Sequence, residues 1–337
     1  MADLTKIQGF DLFQETYKYV GDHAIRADIL VPQTNYAGKR PAIARFHGGG
    51  LVMGDSLYMD WFPYWLSDLA LEHEAVIISA NYRLMPQTTG VDIYNDVEDF
   101  WAWLFKSDTV TDVLAAHTTP TEIDFAHVLV TGESAGGLLS INSALSHAAT
   151  GRGRDRTGIT AAIAMYPTVD MASPDFTEPR TIPPFGQHFD ESIIDEILAG
   201  APADEPISST QGDYLPLMLA AIEYGRLGGW YARGLHGSST PREALYPLKQ
   251  LEKKGKKVKV PRGGITIIQG LNDTVVPADH SEPFVAKLRK LTKGRPVHDL
   301  IQFVAHEGEN GFDGNLRYAE EEWLRDALEP AVKAWLE

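Results

Sequence analysis

The sequence contains no cysteine, so disulfide bonds, thiolate metal sites and cysteine nucleophiles are excluded. The absence of cysteine also fits a reducing compartment. The N-terminal residues lack the basic segment and apolar run of a signal peptide. No stretch reaches the roughly 18 apolar residues that a membrane-spanning helix needs. We therefore expect a cytoplasmic protein without a membrane span.

Basic residues are also scarce, since 30 lysines and arginines oppose 46 aspartates and glutamates and the formal net charge is −16. Because phosphate binding needs a basic surface, this balance argues against nucleic-acid and anionic-membrane partners. The 11 histidines show no H-E-x-x-H or comparable ligand spacing. We predict no metal, no other cofactor and a small-molecule substrate, while the sequence does not indicate an oligomeric state.

Short β-rich runs alternate with longer helical patterns along the 337 residues, which indicates an α/β fold with a mostly parallel sheet of about eight strands. Runs such as V-I-I-S-A are apolar on both faces, as strands covered by helices on each side must be. The predicted strands are Ala24–Leu30, Ala42–Phe46, Ala75–Asn81, Val128–Thr131, Thr160–Tyr166, Ile265–Gln269 and Leu300–Val304. The predicted helices are Leu57–Glu72, Val91–Phe105, Gly137–Ala149, Ala278–Leu291 and Arg317–Leu336.

Residues 171–251 interrupt this alternation with many prolines, glycines and aromatic residues. Because a structureless loop of this length is unusual in a compact domain, we predict a helical cap over the C-terminal edge of the sheet. Residues 1–170 and 252–337 then form the core. Some cap aromatics could line a pocket, although we expect most to form the cap's own core. They include Phe176, Phe185, Phe189, Tyr214, Tyr224, Trp230 and Tyr231.

The strongest chemical signal is the stretch T-G-E-S-A-G-G from Thr131 to Gly137, which matches G-x-S-x-G. It follows the strand V-L-V-T and precedes a helical pattern, which is the context of a nucleophile elbow. Such an elbow is a tight strand-to-helix turn that raises a serine hydroxyl above the sheet. We therefore predict Ser134 as the nucleophile.

A glycine run, His47-Gly48-Gly49-Gly50, follows the strand A-I-A-R-F. Acyl transfer generates an oxyanion, and backbone N–H groups must point to where that charge develops. We predict that Gly48 and Gly49 supply such groups, and that the N–H of Ala135 completes the oxyanion hole. His47 more plausibly holds this loop in place than transfers protons.

A third motif, Q-G-L-N-D-T-V-V-P, follows the strand I-T-I-I and contains Asp273. An acid at a strand end can orient a histidine and stabilise its imidazolium form. Alone, Asp273 could equally cap the helix that begins near Pro277.

Together these motifs resemble the cap-bearing, H-G-G-G branch of the α/β-hydrolase fold family, which includes hormone-sensitive-lipase-like esterases and plant carboxylesterases. The stretch from Met85 to Trp101 looks most like filamentous-fungal members. The resemblance implies a Ser–His–Asp hydrolase of carboxylic esters without a cofactor. It assigns the nucleophile to Ser134, the acid to Asp273 and the oxyanion donors to Gly48, Gly49 and Ala135.

The sequence departs from this family at the expected histidine. The family pattern H-G-F-D after the last strand corresponds here to Asn310-Gly311-Phe312-Asp313. The amide of asparagine does not titrate usefully and so cannot serve as the proton-accepting base. His306 is a possible displaced base, but four residues of extended chain span up to ~13 Å, so the loop would have to rearrange. Glu307 and Glu309 are further candidates.

Three hypotheses follow from Asn310. First, a rearranged triad acts as a serine-dependent hydrolase of a small, largely apolar ester or lactone. Second, the oxyanion hole serves a cyclisation or elimination, such as one of fungal secondary metabolism, or the pocket only binds a ligand. The plant gibberellin receptors and certain alkaloid cyclases look like precedents. Third, asparagine was introduced to trap a ligand. The first hypothesis is the one we favour from the sequence.

Overall fold

The β-rich runs form one eight-stranded sheet in the computed structural model, which describes residues 4–118, 120–149, 157–201 and 205–337. The strands are β1 (Phe10–Val20), β2 (His23–Pro32), β3 (Lys39–Phe46), β4 (Val76–Ala80), β5 (Glu122–Glu133), β6 (Ile159–Met165), β7 (Ile265–Gly270) and β8 (Ile301–His306). Their order is β1-β2-β4-β3-β5-β6-β7-β8. β2 pairs antiparallel with β1 and β4, and the remaining neighbours are parallel. The predicted α/β fold with a mostly parallel sheet is confirmed.

Helices fill the connections between the strands. They are α1 (Tyr64–Glu72), α2 (Gly90–Lys106), α3 (Thr109–Ala115), α4 (Ala135–His147), α5 (Pro174–Thr177), α6 (Ser192–Gly200), α7 (Leu215–Glu223), α8 (Leu227–Ala232), α9 (Arg242–Leu245), α10 (Pro247–Lys254), α11 (Ser281–Thr292) and α12 (Glu322–Leu336). Local signals place some of these boundaries: Thr89 and Asp92 form a reciprocal capping box at the start of α2.

The sheet is covered on both faces. Alternate residues of a strand point to opposite faces, and on β3 Ala42 and Ala44 belong to one apolar cluster while Ile43 belongs to the other. The Ala42 face is packed by α2, α4 and α11, and the Ile43 face by α1 and α12. On α12, Leu328 and Trp335 are buried in this second cluster, so the helix packs its apolar side against the sheet.

Some predicted boundaries were wrong. The helix predicted from Leu57 begins at Tyr64, because Pro63 interrupts the pattern and lies directly before the first turn. The last helix begins at Glu322 instead of Arg317. β1 was missed because half-buried edge strands carry many polar residues; the hairpin turn at Gly21, where Val20 pairs with His23, was the available signal.

The chain between β6 and β7 contains α5 to α10 and their connections. This agrees with a helical insertion, but the boundary predicted at residue 251 falls inside α10, which packs against α4 and α11 of the core. The limits of the cap therefore stay a prediction. Among the described residues, no helix is long and apolar enough to cross a membrane. The cytoplasmic location also stays a prediction.

Candidate active site

Ser134 lies at the turn between β5 and α4, at the edge of the sheet where parallel strands end. Its φ angle of 53° is in the left-handed region, which non-glycine residues rarely adopt and which often marks functional sites. The turn is so tight that a Cβ added at Gly136 would lie 2.0 Å from the carbonyl oxygen of Phe46. The Ser134 side chain borders a cavity at this edge and is only 6% exposed.

The glycine run after β3 lies directly against this turn. A Cβ added at Gly48 would come within 3.1 Å of the carbonyl oxygen of Glu133, so the two backbones nearly touch. Gly49 has a φ of 102° and accepts hydrogen bonds at its carbonyl from the N–H groups of Val52 and Met53. Gly48, Gly49 and Ser134 thus border one cavity.

Ala135, the third predicted oxyanion donor, follows Ser134 directly in the chain. As the first residue of α4, it lies among the helical N–H groups that have no partner within the helix, at the positive end of the helix dipole. The arrangement can stabilise negative charge on a carbonyl oxygen above Ser134.

His47 is locked beneath the glycine loop. Its ring stacks on Tyr82 at a centroid distance of 4.4 Å, and the Tyr82 hydroxyl donates a hydrogen bond to the His47 carbonyl oxygen. Burial lowers the pKa of His47 to about 4, so the ring is neutral near pH 7. This environment supports a role in holding the loop.

Glu133 forms a buried ion pair behind the nucleophile. Arg45 donates from Nε and Nη2 to the two carboxylate oxygens, at 3.1 and 2.9 Å. Burial raises the pKa of Glu133, while the Arg45 guanidinium opposes that shift. Both oxygens of Glu133 are therefore occupied, although the residue borders the cavity.

Asp273 lies in the loop after β7, where the backbone wraps around its carboxylate. Oδ1 accepts hydrogen bonds from the N–H groups of Val275 and Val276, at 2.9 and 2.7 Å. Oδ2 accepts one from Nδ2 of Asn310, at 3.0 Å. Burial raises the pKa of Asp273 to about 7, while these hydrogen bonds partly oppose that shift.

Asn310 and Ser134 line the same cavity, and Asn310 is hydrogen-bonded to the acid as a triad histidine would be. Ser134, Asp273 and Asn310, predicted from widely separated motifs, are thus brought together. In the described part of the chain, no hydrogen bond joins the Ser134 hydroxyl to a titratable side chain.

Glu309 connects the two loops that carry Asp273 and Asn310. Its Oε1 accepts hydrogen bonds from the N–H groups of Thr274 and Asn310, at 2.7 and 2.8 Å. Its Oε2 accepts one from the Thr274 hydroxyl, at 2.6 Å. Glu309 holds the loops together instead of facing Ser134.

His306, the other candidate base, lies away from the cavity. It is the last residue of β8, and its ring stacks on Trp323 at a centroid distance of 3.9 Å. Its Nδ1 lies 2.8 Å from the Glu307 carbonyl oxygen. The β8 pleat directs His306 toward α12, so the structure does not bring it to Ser134.

The cavity beside Ser134 is narrow, with a volume of about 40 Å³. Its walls are mostly apolar or backbone atoms, with two titratable side chains, Glu133 and Tyr166, among the described lining residues. The lining is formed by Gly48, Gly49, Gly50, Trp61, Glu133, Ser134, Tyr166, Phe185, Met218, Val275, Asn310, Gly311 and Gly314. Of the seven cap aromatics considered from the sequence, Phe185 alone belongs to this lining; Phe176 and Tyr231, for example, are buried in the core.

Tyr166 and Asp313 form a buried pair that sequence reasoning missed. The Tyr166 hydroxyl donates a hydrogen bond to Asp313 Oδ1, and Trp65 Nε1 donates to Oδ2 at 2.8 Å. Burial raises the pKa of Tyr166 well above its ordinary value. Residues so far apart in the sequence carry no spacing signal, so only the fold reveals the pair.

Arg180 joins the insertion to the acid loop. It donates from Nη1 to the Thr274 carbonyl oxygen at 2.8 Å and from Nη2 to that of Val275 at 3.0 Å. Its Nε donates to the carbonyl oxygen of Asp175 at 2.7 Å. Arg180 therefore positions the backbone that holds Asp273.

A second Ser–His–Asp cluster occurs beside Arg180. His280 Nε2 lies 2.8 Å from Asp175 Oδ2 and 3.2 Å from Ser173 Oγ. A catalytic histidine uses different ring nitrogens for its serine and its acid. Because both contacts here involve Nε2, this cluster connects the insertion to the core and does not have triad geometry.

Comparisons with known proteins agree with this architecture. The model of a family described as having the alpha/beta hydrolase fold matches residues 43–220. A protein named "Probable carboxylesterase M8" from the fungus Phoma is 29% identical over 328 residues, which cover 95% of this chain and 94% of that protein. "Probable carboxylesterase clz11" from Cochliobolus lunatus is 29% identical over 46% of this chain and 69% of its own length.

Solved structures share the fold at low sequence identity. Esterase 2 of Thermogutta terrifontis, phosphonylated by sarin, is 18% identical, covers 96% of this chain and 92% of its own, and superposes with a TM-score of 0.56. A Staphylococcus aureus protein of unknown function, 17% identical, covers 96% of this chain and 95% of its own with a TM-score of 0.57.

Proposed function

The chain belongs to the α/β-hydrolase fold family as a carboxylesterase-like enzyme, and we propose that its cavity takes a small, largely apolar carboxylic ester or lactone that is attacked by Ser134. The observation that carries this proposal is the placement of Ser134 and Asn310 on one cavity beside the glycine loop. The substrate carbonyl oxygen lies against the N–H groups of Gly48, Gly49 and Ala135, which stabilise the oxyanion of the tetrahedral intermediate.

The part of the site formed by Asp273 and Asn310 lacks a group that can take the proton of Ser134. Asn310 donates to Asp273 and so occupies the place of the histidine, but its amide takes no proton from Ser134. Ser134 is therefore a weak nucleophile near neutral pH. The oxyanion hole and binding alone retain ~10³–10⁴-fold over water in enzymes that lack triad members, and attack by Ser134 adds to this baseline.

The apolar part of the cavity wall determines the substrate class. Trp61, Phe185, Met218 and Val275 supply apolar surface to this narrow cavity, as apolar side chains do in most small-molecule sites. The described lining contains no lysine, arginine or histidine to pair with an anionic substrate. A neutral ester or lactone fits these walls.

Asn310 also favours a second candidate function. An uncharged amide beside an intact oxyanion hole suits a cyclisation or elimination in which a carbonyl is polarised without attack by Ser134. Binding without turnover, which the sequence also left open, uses the same cavity. These alternatives differ from ester hydrolysis in their dependence on the Ser134 hydroxyl.

The test is steady-state turnover of p-nitrophenyl acetate and butyrate by the native chain and by Ser134→Ala. We expect the native chain to exceed the variant by about tenfold or more, because the variant keeps the oxyanion hole but has no nucleophile. Ser140→Ala is the matched control. It removes a buried hydroxyl from α4, the helix that follows Ser134, and this hydroxyl has no hydrogen-bond partner among the described residues. Equal turnover by the native chain and Ser134→Ala would overturn serine-dependent hydrolysis.

A further inference from the structure

We propose that this site selects esters whose leaving group departs as a stable anion, namely aryl, enol or thiol esters, over esters of simple alcohols. The inference rests on the proposed function and names the substrate class more narrowly. It follows from the fate of one proton during acylation of Ser134.

In a complete triad, the histidine that takes the serine proton returns it to the departing group. An alkoxide is a poor leaving group, so this protonation is what makes esters of simple alcohols reactive. Asn310 occupies the histidine position, and its amide holds no proton that it can donate as an acid.

The titratable side chains of the cavity do not replace that proton donor. Both carboxylate oxygens of Glu133 accept hydrogen bonds from Arg45. The Tyr166 hydroxyl donates a hydrogen bond to Asp313 and is not directed at the leaving atom. Each group is thus committed to a buried partner instead of the departing atom.

Asp273 and His306 also lie away from the position of the leaving atom. Asp273 is not part of the cavity lining; it borders a different cleft with Arg180 and Thr274, and Asn310 stands between it and the cavity. His306 is stacked on Trp323. Among the described residues, none that borders the cavity is placed as a free general acid.

The acylation step then proceeds without an acid. The bond from Ser134 Oγ to the acyl carbon forms, and the bond from that carbon to the leaving oxygen or sulfur breaks. The electron pair stays on the leaving atom, and the Ser134 proton passes to water. Water later attacks the acyl carbon, the carboxylic acid is released, and Oγ is reprotonated from that water.

The test is the dependence of kcat/KM on the leaving group, because kcat/KM reports the steps up to acylation. The probes are p-nitrophenyl, phenyl, trifluoroethyl and ethyl acetate, with the rate of Ser134→Ala subtracted. In the native chain we expect p-nitrophenyl acetate to exceed phenyl acetate on the order of 10²-fold, with ethyl acetate unreactive. In Asn310→His we expect a ratio of about tenfold or less, because an imidazolium protonates the leaving group.

Asn310→Gln is the matched control, since the glutamine amide also has no transferable proton. This variant should keep the steep dependence of kcat/KM on the leaving group. If Asn310→His does not fold, the native chain alone decides the question. A shallow dependence in the native chain would overturn this inference while leaving serine-dependent hydrolysis intact. Absence of Ser134-dependent turnover with every ester would overturn the proposed function itself.

Discussion

The two sides of the site differ in how their residues are held. On the nucleophile side, backbone contacts decide the geometry: Ser134 has a left-handed φ, and a Cβ at Gly136 would collide with the carbonyl of Phe46. On the acid side, side-chain hydrogen bonds among Asp273, Glu309 and Asn310 hold two loops together.

This difference fits the prediction that the family pattern is intact at the elbow and altered at position 310. A substitution in the elbow displaces backbone, so it costs stability as well as chemistry. Asparagine at position 310 donates a hydrogen bond to Asp273, so the two loops stay connected there. The acid side can therefore lose its proton-transfer chemistry while the fold and the oxyanion hole remain.

Introducing histidine at position 310 should have the largest effect, because it gives the acid side a group that can transfer protons. Asn310→His provides a base against Ser134 and a cation against Asp273, so we expect kcat/KM for p-nitrophenyl acetate to rise by about 10²–10⁴-fold. Asn310→Gln should give no increase. A folded Asn310→His with unchanged kcat/KM would mean that the missing imidazole does not limit the rate.

Substitution of the elbow glycine tests the backbone constraint. Gly136→Ala places a methyl group against the Phe46 carbonyl oxygen, and we expect the free energy of unfolding in urea to fall by about 3 kcal/mol. The control is Gly229→Ala in α8, where an added Cβ meets no atom within 4 Å. Equal stability of the two variants would contradict the argument.

Removal of the Arg180 side chain tests how the acid loop is held from the insertion. Arg180→Ala leaves the carbonyls of Thr274 and Val275 without their donors, so we expect the free energy of unfolding to fall by about 2 kcal/mol. Arg226→Ala, which removes an exposed pair with Glu191, should change it by no more than about 0.5 kcal/mol. Similar losses in both variants would show that Arg180 contributes only as a surface charge.

The smallest effect concerns pH. Because burial raises the pKa of Asp273 to about 7, the folded chain binds this proton more tightly than the unfolded chain does. The stabilisation is complete below the ordinary carboxyl pKa and is lost as pH rises toward 7. Between pH 6 and 8 the native chain should therefore lose on the order of 1 kcal/mol more stability than Asp273→Asn. Parallel pH profiles for the two proteins in urea titrations would show that Asp273 has an ordinary pKa.

The parts of the molecule that sequence predicted well are those with local constraints. The elbow around Ser134 and the glycine run at Gly48 combine turn residues with a preceding strand, and both lie where expected. The position of Asn310 was located by its neighbours Gly311 and Phe312, but its hydrogen bond to Asp273 was not foreseen.

The features that sequence missed depend on contacts between distant segments. Arg45 and Glu133 belong to different strands that become neighbours in the sheet, and no spacing rule relates them. Tyr166 meets Asp313 only after β6 and the loop following β8 are assembled. His306 failed as a predicted neighbour of Ser134 because the pleat of β8 turns it toward Trp323.

The contacts of Arg180 have a mechanical consequence. They reach main-chain carbonyls, so they persist whatever side chains occupy positions 274 and 275. We therefore expect the part of the insertion that contains Arg180 and the loop that contains Asp273 to move together. A displacement of this segment would then shift the Asp273 carboxylate and its hydrogen bond to Asn310.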